Sequence, residues 1–327
     1  MKNRWVSMMA AVALGAALSV ATNRPAVSAS LPDSLQVGGA SIGGAFYVVA
    51  GGVAKVLEDN LKIPVTAAVT EGSNENVRLL DRKQVQIGVV AANNAYPAYH
   101  GILGYEKKHT YLRALIGLFP NALAYMALPG TPYKSFTSLR NQRVGVGSGK
   151  TWDPFMKPLF KAHGMEYNKD FTPVYAGFGD LFTQVGDGAI VATVVSVSGG
   201  IPIPGALQLA SAKGAQYFGP DPAPAKKVVQ ELPFMSLIRI TKDTPSFKQD
   251  LDTVDIGGPN LYVRADMDEE LVYRITKLVH QNLGELAKDI RYFQYAQAHP
   301  ERLTVDNGLP YHPGAIRYWK EAGFWKR

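Results

Sequence analysis

From Leu35 onward the chain repeats one pattern: a short apolar run, a turn rich in glycine, serine or asparagine, then an amphipathic helix. Strands joined through helices pair in parallel and must be covered on both faces, so this order leaves few architectures open. Residues 35–37 predict a strand, and 46–61 a helix with Val49, Val53, Val56 and Leu57 on one face. Further strands are predicted at 65–69, 85–90, 143–146 and 171–175, with helices at about 74–82, 152–163 and near Leu181. Residues 189–197 read as a central parallel strand, β-branched and apolar throughout. The stretches 198–205 and 219–224 read as loops, on their proline and glycine content. A strand at 261–263 precedes helices expected over 268–283 and 313–322, the first of them opening with Asp268, Glu269 and Glu270. Two separate strand–glycine–helix openings, at 37–46 and 144–152, predict two α/β lobes with parallel sheets.

The first 29 residues are expected to stand outside that fold. Lys2 and Arg4 precede an apolar stretch over residues 6–21, Asn23, Arg24 and Pro25 interrupt it, and Val27-Ser28-Ala29 places small residues where a signal peptidase cuts. The stretch is too short and too rich in small residues to favour a membrane anchor, the alternative reading. No cysteine follows it, which excludes a lipoprotein. The mature chain is expected near Ser30, exported and soluble, at about 300 residues. The chain has no cysteine at all, which removes disulfides, thiolate metal sites and cysteine nucleophiles. Its net charge of +7 falls to +4 without Lys2, Arg4 and Arg24. That excess suits an anion, but no run of Lys and Arg suggests a nucleic-acid partner.

Four turns lie where strands hand over to helices: 38–47, 71–76, 91–94 and 145–152. In open α/β sheets ligands bind there, at the carboxyl ends of the strands, where helix N–H groups receive anions. In the second turn Ser73 is placed to cap a helix and Asn76 falls in its first turn. Residues 145–151 imitate a phosphate-binding loop, but three residues rather than four separate Gly145 from Gly149, and Val144 stands where glycine is required. The dinucleotide pattern fails at Ala40 and Ser41. Residues 39–43 do satisfy G-x-S-x-G, so a periplasmic serine hydrolase with Ser41 as nucleophile and His312 as base is an alternative. Against it, the elbow falls on the first strand, with no earlier strand to supply an oxyanion loop. None of the six histidines pairs at metal-ligand spacing; no metal site and no cofactor are expected, and His312 reads as the cap of the final helix.

Taken in order, these segments resemble the TAXI family, the solute receptors of TRAP-type (tripartite ATP-independent periplasmic) transporters. The matching stretches are 37–57 with Gly43-Gly44-x-Phe46-Tyr47-x-x-x-Gly51-Gly52, 71–80, 145–149, Asp187-Gly188 and 308–323. The resemblance implies a type II periplasmic binding protein fold with two hinge crossings, its first lobe formed by 30–124 and 257–327 and its second by 125–256. It also implies a non-enzymatic receptor, acting as a monomer, that hands a small carboxylate to a membrane permease. A receptor feeding a membrane kinase would share the same residues. The implied contacts are Ser41, Gly43, Gly44, Phe46, Tyr47, Ser73, Asn76 and Asn93 from the first lobe, with Ser148, Gly149, Thr151 and Trp152 closing from the second. Tyr47 and Trp152 would cover the apolar part of the ligand. Asn121 and Ala124 stand where relatives are expected to carry an acid and a histidine, and Lys150 and Trp152 also depart from the pattern, which bears on ligand size and charge.

Overall fold

The structure is a computed structural model that describes residues 31–40, 42, 45–147 and 152–326. The chain opens with β1 (Leu35–Gly38), α1 (Ala45–Leu61), β2 (Val65–Ala68), α2 (Ser73–Asp81), β3 (Ile87–Ala91), α3 (Ala92–His100) and β4 (Leu112–Gly117). It continues as β5 (Asn121–Ala127), β6 (Arg143–Gly145), α4 (Asp153–Ala162), β7 (Thr172–Val174), α5 (Phe178–Gly186) and β8 (Ala192–Ser198). Then come β9 (Ile201–Pro202), α6 (Pro204–Lys213), β10 (Gln216–Phe218), α7 (Pro222–Glu231), β11 (Ser236–Ile240) and β12 (Leu251–Asp255). The last stretch is β13 (Pro259–Arg264), α8 (Glu269–Gln281), α9 (Leu283–Asp289), α10 (Arg291–Ala298) and α11 (Pro313–Glu321).

These strands form two sheets. The first has the order β2-β1-β3-β13-β4, and the second runs β11-β12-β5-β8-β6-β7, with β10 on β5 and β9 on β8. Strands β1, β2 and β3 are parallel, but β13 runs antiparallel to both β3 and β4. The expected parallel sheets are therefore mixed. In the second, β8 is central as predicted, yet it is parallel only to β6 and antiparallel to β5. The reason is the route of the chain: no α-helix separates β5 from β6, so β5 runs opposite to β6 and hence to β8. Two further expectations give way. The stretch 198–205 contains β9 and the start of α6, and 219–224 contains the start of α7, both helices opening on proline, whose fixed φ suits a first helical position. The helix predicted over 268–283 breaks at Asn282 into α8 and α9.

Each sheet has its own core. In the first, Val49, Val53 and Leu57 of α1 pack with Ile87 and Val89 of β3, Ile275 and Val279 of α8, and Trp319 of α11. Trp319 is fully buried and its Nε1 donates to the Leu115 carbonyl at 2.7 Å, so the ring contributes area without an unpaired donor. The second core centres on Tyr125, Phe136, Phe160 and Leu159. The Phe and Leu side chains are each worth about 1.5–3 kcal/mol on burial. Capping agrees with the sequence at two ends: the Leu271 N–H donates to the Asp268 carboxylate at 2.8 Å, and the Gly314 N–H donates to His312 Nδ1 at 3.2 Å.

The chain passes between the sheets twice, through Leu118-Phe119-Pro120 and through Ile256-Gly257-Gly258. The boundary expected at 124/125 falls inside β5, which belongs wholly to the second sheet. The crossings lie side by side. Leu118 N–H donates to Pro259 O at 3.1 Å and Ile256 N–H to Asn121 O at 3.0 Å. Contact is so close that a Cβ on Gly258 would stand 1.9 Å from the Phe119 carbonyl oxygen, and Gly257 holds a φ of +94°; only glycine meets both demands.

Candidate functional site

Topology fixes where a ligand can be met. The carboxyl ends of β1, β2 and β3 lie beside the start of β13 and the end of β4, at the edge where both crossings leave the first sheet. The carboxyl ends of β6, β7 and β8 lie beside the start of β5, at the edge where the crossings enter the second. Helices α1, α2 and α3 begin on the first edge; α4 and α5 begin on the second. The opening N–H groups of a helix have no carbonyl within it to reach, and carry its positive end.

In the first lobe these helix starts are braced against one another. Thr70 Oγ1 donates to Gly39 O at 3.0 Å and accepts the Gly72 N–H at 3.1 Å. Glu75 reaches back to accept the Glu71 N–H at 2.6 Å. Ser73 is the first residue of α2, not its cap; Gly72 occupies that position, and Ser73 Oγ accepts the Ala91 N–H at 3.0 Å, tying α2 to the start of α3. Asn74 Oδ1 accepts from Asn94 Nδ2 at 2.8 Å and from Tyr105 Oη at 2.5 Å. Burial pushes the Tyr105 hydroxyl up to about 12, so it stays a donor. A groove of about 610 Å³ runs past Asn74, Asn93, Asn94 and Tyr105 and is bounded on the opposite side by Pro154 of α4. Asn93 Oδ1 is buried there with no hydrogen-bond partner.

Asn76 departs from the contact role expected of it. It is fully buried, and its Nδ2 lies 3.2, 2.7 and 2.8 Å from the carbonyls of Gly38, Gly39 and Val89. The side chain clamps the ends of β1 and β3 from below the edge, and its Oδ1 lies 2.7 Å from where a Cβ on Gly38 would be. Phe46 and Tyr47 are half-buried at the start of α1, Phe46 against the first core.

Trp152 also differs from expectation. Only 9 % of it is exposed, and its ring stands edge-on to Phe155 at 5.2 Å and to Phe178 at 5.3 Å. Gly147, with φ +105°, lies flat on the indole: a Cβ there would be 2.6 Å from its Cγ. The indole thus props the second glycine turn from within the second core and has little face left to cover a ligand. Beside it Asp153 accepts from Tyr175 Oη at 3.0 Å and pairs with Lys157 at 2.9 Å. Burial, then the Asp153 carboxylate, push the Tyr175 hydroxyl up to about 12. Asn121 Oδ1 accepts from the hydroxyls of Ser196 and Ser198 at the crossing. Ala124 is fully buried among apolar side chains of the second lobe.

Ser41, Gly43, Gly44, Ser148, Gly149, Lys150 and Thr151 lie outside the described residues, as does the expected signal peptide. Three residues that sequence reasoning passed over stand at the cleft edges: Ile42, Val69 and Tyr175 are 75 %, 57 % and 37 % exposed although apolar or aromatic. Val69 and Tyr175 directly follow the ends of β2 and β7, and Ile42 lies in the glycine turn after β1. His312, needed by a hydrolase at Ser41, is buried with Nδ1 committed to the α11 cap. Among the described residues no group of His, Asp or Glu could hold a metal ion, and no helix is long and apolar enough to cross a membrane.

The fold is similar to that of a solved structure. The periplasmic aliphatic sulphonate binding protein SsuA from Escherichia coli superposes with a TM-score of 0.51 at 13 % identity, over 91 % of this chain and 90 % of that one. The alkanesulfonate-binding protein SsuA from Xanthomonas axonopodis pv. citri, bound to MOPS, gives 0.46 at 12 % identity, over 90 % and 92 %. The periplasmic sulfonate-binding protein SsuA from Methylobacillus flagellatus KT gives 0.49 at 12 % identity, over 90 % and 88 %. With two mixed sheets and two adjacent crossings, the architecture is that of a type II periplasmic binding protein. A family profile matches residues 37–323, and the chain belongs to the NMT1-like family.

Proposed function

We propose that this protein is a periplasmic solute receptor that closes two lobes on a small organic anion and presents it to a membrane transporter. The observation that carries this reading is the convergence of five helix starts, α1 to α5, on the two facing sheet edges beside the crossings. Backbone N–H groups there would meet the negative oxygens, joined by the hydroxyls of Ser41, Ser73 and Ser148, while Ile42, Val69 and Tyr47 offer apolar cover. A ligand touching both lobes shifts their balance toward the closed form, because it gains contacts only there.

A carboxylate is the first choice of ligand. A sulfonate is the second, since the Escherichia coli neighbour is named for aliphatic sulphonates and both groups present oxygens that suit helix N–H donors. The transporter would be a TRAP-type permease driven by an ion gradient. Residues 1–29 would be removed on export. Native mass spectrometry of protein purified without added ligand, followed by a thermal-shift screen of carboxylates and sulfonates, tests the reading. A true ligand at a hundred times its Kd stabilises by about 2.7 kcal/mol. A screen in which no anion moves the transition would refute the receptor reading, as would a fluorophosphonate adduct on Ser41.

A further inference from the structure

The crossings contain a side-chain cluster that the ligand site does not use. Asp255, the last residue of β12, is 5 % exposed. Its Oδ1 accepts the N–H of Asn121, the first residue past one crossing, at 2.9 Å, and the N–H of Gly257, in the middle of the other, at 3.0 Å. Its Oδ2 accepts from Arg302 at 2.6 Å. Arg302 belongs to the first lobe, in a short turn of helix over Pro300–Arg302. That turn is seated on the end of β4: the Gly117 N–H donates to Leu303 O at 2.9 Å, and a Cβ on Gly117 would stand 2.6 Å from the Arg302 carbonyl oxygen. One carboxylate thus joins both crossings and the far lobe.

The same place holds a cavity of about 20 Å³, lined by Asp255, Arg302 and Asn260 among others. Asn260 is 3 % exposed, donates to Gly258 O at 3.0 Å and keeps a buried Oδ1 without a partner. That volume accommodates one water molecule, and the orphan acceptor gives it a reason to be there. A buried pair of this kind is weak evidence for stability, since desolvating two charges offsets most of their attraction; its better-attested use is to specify one arrangement.

We propose that Asp255 and Arg302 form the pivot on which the lobes turn, positioning residues that set the ligand-free balance of open and closed forms without touching the ligand. The proposal rests on the receptor reading above. Asn121 and Gly257, one on each crossing, are both held by Asp255, so a turn of one lobe against the other is centred on this carboxylate. Breaking the pair frees the axis, so the distribution of lobe separations shifts or broadens, and apparent affinity changes by the same factor as the competent fraction.

The absence of cysteine makes the test direct. Spin labels at Lys55→Cys and Lys169→Cys, both exposed and on opposite lobes, report the separation by pulsed electron resonance without any ligand. Arg302→Gln should displace or widen the distribution, Arg302→Lys should largely restore it, and Asp255→Asn, which keeps an acceptor for the two N–H groups, should resemble Arg302→Gln. A distribution unchanged in both Arg302→Gln and Asp255→Asn, with only a lower melting temperature, would overturn the pivot and leave a structural pair. Ethanesulfonate and glutamate serve as probes of the parent. A parent distance that neither they nor a wider anion set alters, together with a shift in Arg302→Gln, would uphold the pivot and sink the receptor reading.

Discussion

Asn76→Ala separates a structural clamp from a ligand contact. The amide has two hydrogens for the three carbonyls within reach, those of Gly38, Gly39 and Val89, so two full bonds are lost. Each is worth about 1–1.5 kcal/mol, and a buried carbonyl left bare adds about 1 kcal/mol more. Gly39 O keeps Thr70 Oγ1, which limits that last cost. The total is about 3 kcal/mol with the three carbonyls left dry, and a water entering the space the fully buried side chain vacates would lower it. Urea unfolding followed by circular dichroism would read it as a lower midpoint at constant slope. Asn76→Asp should be as damaging at neutral pH, since a carboxylate would face carbonyl oxygens, and should recover in part on acidification as it regains a donor. A loss below about 1 kcal/mol, with anion binding impaired, would show that Asn76 faces the cleft and that the clamp is wrong.

Other outcomes follow from the same geometry. Trp152→Ala should cost about 3–5 kcal/mol in urea unfolding, because the indole fills the second core under Gly147; unchanged stability would return it to the ligand. Gly258→Ala should destabilise by at least about 2 kcal/mol, given a Cβ 1.9 Å from Phe119 O, and a neutral result in thermal melts would mean the crossing is looser than described. Hydrogen bonds from Arg264, then Lys83, hold the Asp266 carboxyl at about 2, below its ordinary 3.8. A depressed carboxyl stabilises above its unfolded value and loses that contribution as pH falls toward its folded one, so melts between pH 4 and pH 2 should fall less steeply in Asp266→Asn. Equal slopes would remove the pair from the acid response.

The alternation of apolar runs and amphipathic faces made most of the first lobe readable, because α1, α2, β1 and β3 are continuous in sequence and bury by local pattern. The second lobe was read less well. The strands β5, β10, β11 and β12 form a chain-distant antiparallel set, and nothing local in 121–127 marks pairing with β8 some seventy residues on. The glycine turns fall at strand ends, as their position in the sequence implied, whereas individual roles did not follow from residue type. Ser73 suits a cap, yet the backbone turns one residue earlier at Gly72, and the Ser73 oxygen accepts the Ala91 N–H in place of one in its own helix. Trp152 suits a lid, yet a positive φ at Gly147 lets the chain fold over the ring and bury it. Asp255 was invisible as a hinge residue, since its partners Asn121 and Arg302 lie 134 and 47 residues away.

Small-angle X-ray scattering of the protein alone and saturated with an anion found by the thermal screen tests the central claim most directly. Closure of the lobes about the two crossings predicts a smaller radius of gyration and a narrower distance distribution with ligand. A bound anion that leaves both curves superimposable would contradict it.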